Sequence, residues 1–314
     1  MIKHFILQAT IVLGLASVAF SGCSSVPLSG RSRVNVVSDE QILGLSAREY
    51  AKFISTAPIS QNKAATQRML NVGRRIASAT ERYLTNAGMP GEAAKFSWEF
   101  NLIRDPQVNA WCMPGGKIVV FEGLLPLCPT DDDLATVLSH EVAHAMAKHA
   151  NERMSSQVLQ NAGGQVLGNI LGGTLGSMGQ VIGGLAYSAG MKYFVDLPYS
   201  RQHEYEADKI GIYLMALAGY DYTKAVGFWK RMAARSGGNS GNNMWSTHPS
   251  DESRIAAIEA ELPNVRAFAA GGGRISNAPA PVPERNRQTG TQRKQNTTVI
   301  PGNNKRDVPL KTRY

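Results

Sequence analysis

The stretch LSHEVAHAMAKHA, residues 138–150, constrains the fold more than any other, because it holds three of the six histidines in the sequence. His140 and His144 are four residues apart, so in a helix their imidazoles lie on one face, one turn apart. Glu141 follows the first histidine directly. Burying these three groups costs several kcal/mol unless hydrogen bonds or a cation satisfy them. His149 lies about 140° farther round a continuous helix than His144, which predicts a surface position for it.

The string H-E-x-x-H is the pattern of zinc peptidases, in which the histidines bind the metal and the glutamate is the general base. A catalytic zinc also needs a third protein ligand and an open position. Glu204 and Asp208 lie four residues apart in the segment SRQHEYEADKIG. Glu204 is therefore the expected third ligand, and Asp208 the expected acceptor for the free N–H of a ligating histidine. His203 is a competing ligand one residue off this face, and Glu206 is expected to point roughly the other way.

These segments together resemble the HtpX, BepA and LoiP group of zinc metallopeptidases, which also includes mitochondrial Oma proteases and CAAX-prenyl endopeptidases. NAWCMPGGKIVVFEGLL, residues 109–125, is similar to the extended segment and turn beside the active site of that group. WSTHPSDESRI, residues 245–255, is similar to its late histidine motif. The resemblance covers most of residues 40–262 and implies a mainly α-helical α+β fold of the gluzincin type. A small β-sheet is expected beside the active-site helix.

The resemblance also implies roles for individual residues. One zinc ion per chain is expected, bound by His140, His144 and Glu204, with Glu141 as base and proton shuttle and Asp208 orienting a ligand. Zinc is preferred over manganese or cobalt, although two imidazoles and a carboxylate accept any of them. His248 is expected close to the metal, where it stabilises the oxyanion or ligates zinc and holds the enzyme idle. Otherwise it is a helix-entry histidine before Pro249, with Arg254 bracing that loop.

The extended segment at Asn109, Ala110 and Trp111 predicts an edge along which a substrate strand could bind through its main chain. Such recognition has little sequence preference, which favours an endopeptidase of unfolded or misassembled envelope proteins. A chaperone-like assembly lipoprotein with a largely idle metal site is the alternative. A purely structural envelope lipoprotein, the third hypothesis, predicts no metal.

The first twenty-two residues predict an export signal, because Phe5 to Phe20 are almost wholly apolar and small residues follow. The ending Ser-Gly-Cys resembles a bacterial lipobox, so Cys23 is the expected lipidation site. Ser24 at the next position favours the outer membrane of a Gram-negative bacterium, with the protein facing the periplasm. An ordinary secretory signal is the alternative.

Composition divides the rest of the chain into three parts. Residues 23–37 are expected to be a lipidated tether, residues 38–263 the metallopeptidase domain, and residues 264–314 a basic, disordered tail rich in Pro and Gly. From Arg266 to Tyr314 there are ten basic and two acidic residues, so almost all of the net charge of +9 lies there. The near-neutral body argues against nucleic acid as a partner. For the tail itself, contact with anionic lipid, cell wall or RNA is the alternative to a solvated, disordered end.

Two segments leave structural alternatives open. Cys112 and Cys128 are expected to form a disulfide in an oxidising compartment, with two buried free thiols as the alternative. The segment from Ala162 to Leu185 holds nine glycines, so a flexible loop, a glycine-packed helical hairpin and a membrane-contacting segment are all alternatives. We expect a mobile flap or hairpin near the site. BepA-like members carry helical repeats after the protease domain. The tail cannot build such repeats, so the LoiP-like arrangement is the closer resemblance.

Overall fold

The computed structural model describes residues 23–170, 190–191, 194–195, 199–235, 244–248 and 252–272. The expected signal peptide, most of the glycine-rich segment and the tail beyond residue 272 lie outside these residues.

Helices dominate the described chain, as predicted. They are α1 (Asp39–Ile54), α2 (Lys63–Asn86), α3 (Pro90–Ala93), α4 (Asp131–Met146), α5 (His149–Ile170), α6 (Arg201–Leu217), α7 (Lys224–Arg235), α8 (Met244–Thr247) and α9 (Glu252–Ala270). Reciprocal capping boxes start α1 at Ser38 with Gln41 and α4 at Thr130 with Asp133. Each box satisfies amide groups that the first turn of a helix leaves unpaired.

The strands form a hairpin and a three-stranded sheet. They are β1 (Cys23–Ser25), β2 (Ser32–Val34), β3 (Glu99–Ile103), β4 (Ala110–Met113) and β5 (Lys117–Phe121). The larger sheet has the order β3-β5-β4, with β3 parallel and β4 antiparallel to the central strand β5. Gly115 and Gly116 turn the chain between β4 and β5 with φ of 86° and 81°. A short 3-10 helix, Glu122–Leu127, follows β5 and leads to α4.

Helix α4 packs against strand β4 of the sheet and against the helices α2, α6 and α7. All residues from 133 to 144 are buried, so the polar side chains among them must find partners within the protein. Helix α6 packs closely along α4, and a Cβ added at Gly211 would lie 3.2 Å from the backbone nitrogen of His140. The mainly helical architecture with a small sheet beside α4 confirms the predicted α+β fold.

The structure differs from the expected tether at residues 23–37. Strands β1 and β2 pair antiparallel, and the hairpin packs on the domain with Val26 and Val37 only 1% and 2% exposed. Arg33 Nη1 donates to the carbonyl of Ala147 at 2.5 Å, and Ser155 Oγ accepts from the amide of Val36. The polar composition of this segment predicted a tether, but burial of Val26 and Val37 packs it on the domain.

The C-terminal end of the domain also differs from the expected boundary at residue 263. Helix α9 continues through Pro263 to Ala270. Val265 and Phe268 are 0% and 5% exposed, and the ring of Phe268 lies 4.9 Å from that of Tyr213. The proline predicted an end because it removes a helical hydrogen bond, but packing of the following turns on the core outweighs that loss.

The predicted disulfide is wrong. Cys112 and Cys128 are both free, buried thiols, which is the alternative that the sequence left open. Cys112 lies within β4, and Cys128 follows the 3-10 helix. The length of the intervening chain does not by itself bring two Cα atoms within the distance that a disulfide requires. Strand β4 and the 3-10 helix fix the positions of the two cysteines separately.

The glycine-rich segment is described only at its beginning. Helix α5 continues to Ile170, so the beginning of the glycine-rich segment is helical. The flap or hairpin predicted for the remainder falls on residues outside the described ranges. No helix in the described ranges is both long enough and apolar enough to cross a membrane.

Candidate metal centre

Three elements bring the predicted site residues together. Helix α4 carries His140, Glu141 and His144, helix α6 carries Glu204, and His248 directly follows α8. The N-cap Ser200 accepts a hydrogen bond from the amide of His203 and starts α6 one turn before Glu204. The side chains are almost fully buried, and none of the five residues is more than 3% exposed.

Four donor atoms, from His140, His144, Glu204 and His248, lie within 4.8 Å of one another. The Nε2 atoms of His140 and His144 are 3.1 Å apart. Glu204 Oε2 is 3.5 Å from the first of these nitrogens, and Oε1 is 3.4 Å from the second. His248 Nδ1 is 3.3 Å from His140 Nε2 and 3.1 Å from Glu204 Oε1.

These separations fit a tetrahedral zinc ion. Ligand atoms about 2.0–2.1 Å from the centre of a tetrahedron are roughly 3.3 Å from one another. The five N–N and N–O distances given above run from 3.1 to 3.5 Å. Two or three imidazoles with one carboxylate are also a donor set that zinc commonly binds. His203, the competing ligand, lies outside the cluster, with its Nε2 atom 3.2 Å from Glu152.

The buried carboxylates and imidazoles of the cluster shift one another's pKa values. Burial acts to raise the pKa of Glu204, but the adjacent histidines outweigh it and hold the pKa well below its ordinary value. Burial lowers the pKa of His144 well below the usual range. Both residues therefore adopt the deprotonated forms that metal binding requires. Burial also acts against protonation of His140, but Asp208 and Glu204 outweigh it and raise its pKa to about 9.

Asp208 and Arg254 support the cluster from outside. Asp208 Oδ1 lies 3.0 Å from His140 Nδ1, the nitrogen that faces away from the donors. Arg254 Nε and Nη2 each donate to the carboxylate of Asp208 at 2.7 Å. Arg254 Nη1 lies 3.0 Å from Glu204 Oε2 and donates to the carbonyl of His248 at 3.4 Å. This single arginine therefore links both carboxylates of α6 to the chain segment that carries His248.

Glu141 lies beside the cluster without belonging to it. Its Oε1 atom is buried and has no hydrogen-bond partner among the described residues. The ring of His248 lies beside it, with its Nε2 atom 3.5 Å from Oε1 of Glu141. Burial raises the pKa of this carboxyl group. A buried carboxylate oxygen without a partner indicates a place where another polar group binds.

The predicted surface position of His149 is wrong. The residue is 0% exposed, and its Nδ1 atom lies 2.8 Å from Nδ1 of His144. The prediction assumed a continuous helix, but α4 ends at Met146 and α5 begins at His149. Lys148 between them has φ of 57°, which turns the chain back toward the site. Neither glycine nor proline marks this break, so the sequence carries no clear signal of it.

The expected substrate edge has the predicted topology but not the predicted exposure. Strand β4 pairs with β5 on one side, and no other described strand pairs with it. Asn109, Ala110 and Trp111 are nevertheless 4%, 1% and 4% exposed. The ring of Trp111 packs edge-on against Phe53 at 5.2 Å. Binding of a substrate along this edge stays a prediction that requires local displacement of the covering residues.

A buried cluster of this kind, beside an H-E-x-x-H helix, defines a zinc metallopeptidase. Residues 71–262, more than half of the chain, match peptidase family M48, and the chain belongs to that family. Members of this class hydrolyse peptide bonds, so polypeptides are the substrates. The match confirms the predicted class of enzyme and the predicted zinc cofactor.

Three relatives illustrate the range of the family. The chain is 33% identical over 258 residues to the mitochondrial metalloendopeptidase OMA1 of Schizosaccharomyces pombe, covering 82% of this chain and 71% of the yeast protein. Its identity to human OMA1 is 28% over 268 residues, or 81% and 50% of the two chains. Its identity to the beta-barrel assembly-enhancing protease of Escherichia coli is 25% over 255 residues, or 80% and 50%. The chain thus spans about half the length of the last two proteins.

Proposed function

We propose that this protein is an endopeptidase that faces the periplasm from the outer membrane and hydrolyses unfolded or misassembled envelope proteins. The main support for peptide-bond hydrolysis is the buried cluster of metal donors beside Glu141. The name of the Escherichia coli relative supports envelope proteins as substrates. The OMA1 relatives are mitochondrial by name, so the bacterial location rests on the signal sequence. A LoiP-like arrangement remains part of the proposal.

In this proposal His140, His144 and Glu204 hold the zinc ion. When bound there, zinc supplies a water of lowered pKa and a Lewis acid for the scissile carbonyl. Asp208, with Oδ1 3.0 Å from Nδ1 of His140, attracts the proton of that ring to Nδ1 and keeps the Nε2 lone pair directed at the cluster. The remaining chemistry belongs to side chains of this chain.

Glu141 acts as the base because its unpaired Oε1 lies at the edge of the cluster, within reach of a nucleophilic water. It takes one proton from the water and delivers it to the leaving amine. His248 contacts both Glu204 and Glu141 through its two ring nitrogens. A ring turned away from Glu204 would present an N–H to the developing oxyanion.

Replacement of Glu141 by glutamine tests the proposed base. Glutamine keeps the size of the side chain but cannot accept the proton, so casein cleavage is expected to fall by at least about 100-fold. Zinc content, measured by elemental analysis, should stay at the wild-type value because Glu141 is outside the donor cluster. Glu40→Gln, an exposed change, is the control. Full activity of the Glu141→Gln protein would refute the assignment.

A second function is favoured by the position of His248. His248 is one of the four donor residues, its Nδ1 atom lies next to His140 and Glu204, and a fourth protein ligand would occupy the position that a catalytic water needs. The protein would then be a chaperone-like assembly lipoprotein with a largely idle metal site. His248→Ala separates the two ideas through casein cleavage. A rise in activity means that His248 restrains a latent enzyme, and a collapse means that it takes part in catalysis.

The location in the proposal depends on lipidation of Cys23. Strand β1 begins at this residue, and Val26 is already buried. A lipid at Cys23 would therefore hold the catalytic domain directly against the bilayer, without a flexible spacer. Cys23→Ser should release the protein from the membrane fraction, whereas Cys112→Ser, at a buried thiol, should not. Membrane retention of the Cys23→Ser protein would defeat this part of the proposal.

A further inference from the structure

A second chain of contacts runs outward from the cluster at His144. Nδ1 of this residue is 2.8 Å from Nδ1 of His149, and Nε2 of His149 is 2.9 Å from Glu206 Oε2. His149 is 0% exposed and Glu206 is 7% exposed. The ring of His203 stacks on the ring of His149 with centroids 4.3 Å apart. The two rings are therefore confined to one orientation.

The N-terminal hairpin completes this chain of contacts. Arg31, at the end of the turn between β1 and β2, donates from Nε and Nη2 to Glu206 Oε2 at 2.8 and 2.7 Å. Its Nη1 and Nη2 atoms also donate to the two carboxylate oxygens of Glu152 at 2.8 and 2.7 Å. Ser29 Oγ donates to the other oxygen of Glu206. One guanidinium thus bridges two carboxylates and orients the one that faces His149.

The directions of the hydrogen bonds follow from the chemistry of His144. Its Nε2 atom faces the donor cluster, so ligation through that atom leaves the proton on Nδ1. This N–H then donates to Nδ1 of His149, which must be the unprotonated nitrogen of that ring. His149 consequently carries its proton on Nε2 and donates it to Glu206. His149 thus accepts from His144 and donates to Glu206. The other neutral tautomer of His149 could not make both hydrogen bonds.

The arrangement repeats the one found at His140. There the outer nitrogen meets Asp208, which is held by Arg254. At His144 the outer nitrogen meets a carboxylate–arginine pair through an intervening imidazole. Groups that accept the outer N–H of a ligating histidine fix its ring and raise its basicity. Both histidines of α4 therefore have an acidic partner backed by an arginine.

We infer that His149, Glu206 and Arg31 are positioning residues for His144, so that the N-terminal hairpin is an integral part of the metal centre. This inference rests on the proposed function, because it requires His144 to ligate zinc. Its consequence is that zinc affinity depends on a residue of the segment that follows Cys23, far from the donors in sequence. Loss of Arg31 would leave the carboxylates of Glu206 and Glu152 facing each other without the charge that orients them.

The test compares metal binding by Arg31→Gln, Glu206→Gln and Arg31→Lys with binding by the wild-type protein. Metal-free proteins are titrated with zinc in competition with a chromophoric chelator, and the visible spectrum of the cobalt-loaded forms is recorded. The two glutamine variants should bind zinc about tenfold or more weakly and show altered cobalt bands. Arg31→Lys keeps the charge and should bind zinc more tightly than Arg31→Gln.

Arg68→Gln is the matched control, because Arg68 forms an ion pair with Asp131 in the first turn of α4, at 2.7 Å, away from the donors. Its zinc affinity and cobalt spectrum should equal those of the wild type. Circular dichroism of the metal-free proteins establishes that each variant is folded. If Glu206→Gln does not fold, Arg31→Gln decides the matter, since that side chain is partly exposed.

The outcomes separate this inference from the proposed function. A folded Arg31→Gln protein with the zinc affinity and cobalt spectrum of the wild type would overturn the inference and leave the proposed metal site intact. A wild-type protein that binds no zinc would defeat the proposed function itself. Equal weakening in Arg68→Gln would also overturn the inference, because the effect would then come from general destabilisation of α4.

Discussion

At the scale of single residues, the metal centre is held by charges as much as by its donors. Arg254 is 1% exposed and is compensated by Asp208, Glu204 and the carbonyl of His248. Its guanidinium also lies 4.5 Å from the ring centroid of Trp229. A buried arginine of this kind stabilises a structure only while its carboxylates remain. The sequence predicted that Asp208 orients a ligand. For Arg254 it predicted only that the residue braces a loop, whereas the structure shows contacts with both Asp208 and Glu204.

Asp208→Asn should weaken zinc binding by about tenfold to 100-fold. Asparagine keeps the size of the side chain but removes the negative charge that pairs with Arg254 and lies 3.0 Å from Nδ1 of His140. The dissociation constant is measured by chelator competition on the folded, metal-free protein. Asp221→Asn, at an exposed aspartate, is the control and should leave zinc affinity unchanged. Unaltered affinity in Asp208→Asn would show that the contact does not orient His140.

At the scale of elements, the close packing of α6 on α4 determines whether Glu204 reaches the histidines. Gly211 permits this approach, since an added Cβ would lie 3.2 Å from the backbone of α4. The sequence placed Glu204 and Asp208 on one face of a helix, but periodicity does not state how near two helices pass. The same limit explains His149, whose position depends on where α4 stops and α5 begins.

Gly211→Ala should lower the free energy of unfolding by about 1–3 kcal/mol, because backbone atoms of α4 cannot move aside as a flexible side chain can. Gly227→Ala is the matched control within α7, where the nearest atom is the terminal nitrogen of Arg231 at 3.5 Å. That change should raise stability by about 0.5–1 kcal/mol, the usual gain of alanine over glycine in a helix. Urea unfolding measures both. Similar stabilisation by the two changes would contradict the proposed close approach.

At the scale of the whole molecule, a cluster of ion pairs joins distant parts of the chain. Lys148, just after α4, contacts Asp39 at the start of α1 at 2.7 Å and Glu92 in α3 at 2.8 Å. Lys95 contacts the same two carboxylates, each at 2.6 Å. Burial acts to raise the pKa values of both acids, but the two lysines outweigh it and lower those values. The cluster thereby clamps the end of the active-site helix onto two other elements.

These lowered pKa values predict a loss of stability in acid. Because the folded values lie below the ordinary 3.8 and 4.5, the stabilisation is fully present above the ordinary values and disappears as pH falls through the folded ones. Urea unfolding of the wild type should therefore show declining stability from about pH 5 downward. The double variant Asp39→Asn, Glu92→Gln should be less stable at neutral pH and show a smaller decline. Identical pH dependence in the variant would exclude this cluster as the cause.

The sequence alone determined the types and local order of the groups in the site. Spacing of three to four residues within one helix dictates which side chains share a face, so His140, His144 and Glu141 could be assigned from their positions along the chain. The same rule predicted Glu204 with Asp208, and the family resemblance supplied His248. The capping boxes at Ser38 and Thr130 also depend only on residues nearby in the sequence.

Only the tertiary structure decided what depends on distances between elements. The docking of the N-terminal hairpin, the free state of Cys112 and Cys128, the burial of β4 and the continuation of α9 past Pro263 all arise from packing between segments far apart in sequence. Arg31, His149 and Glu206 come from three such segments, and no periodicity links them. Local rules describe the energy of one turn or one strand. Long-range contacts outweigh those energies, because burial and charge pairing are settled only when the chain is folded.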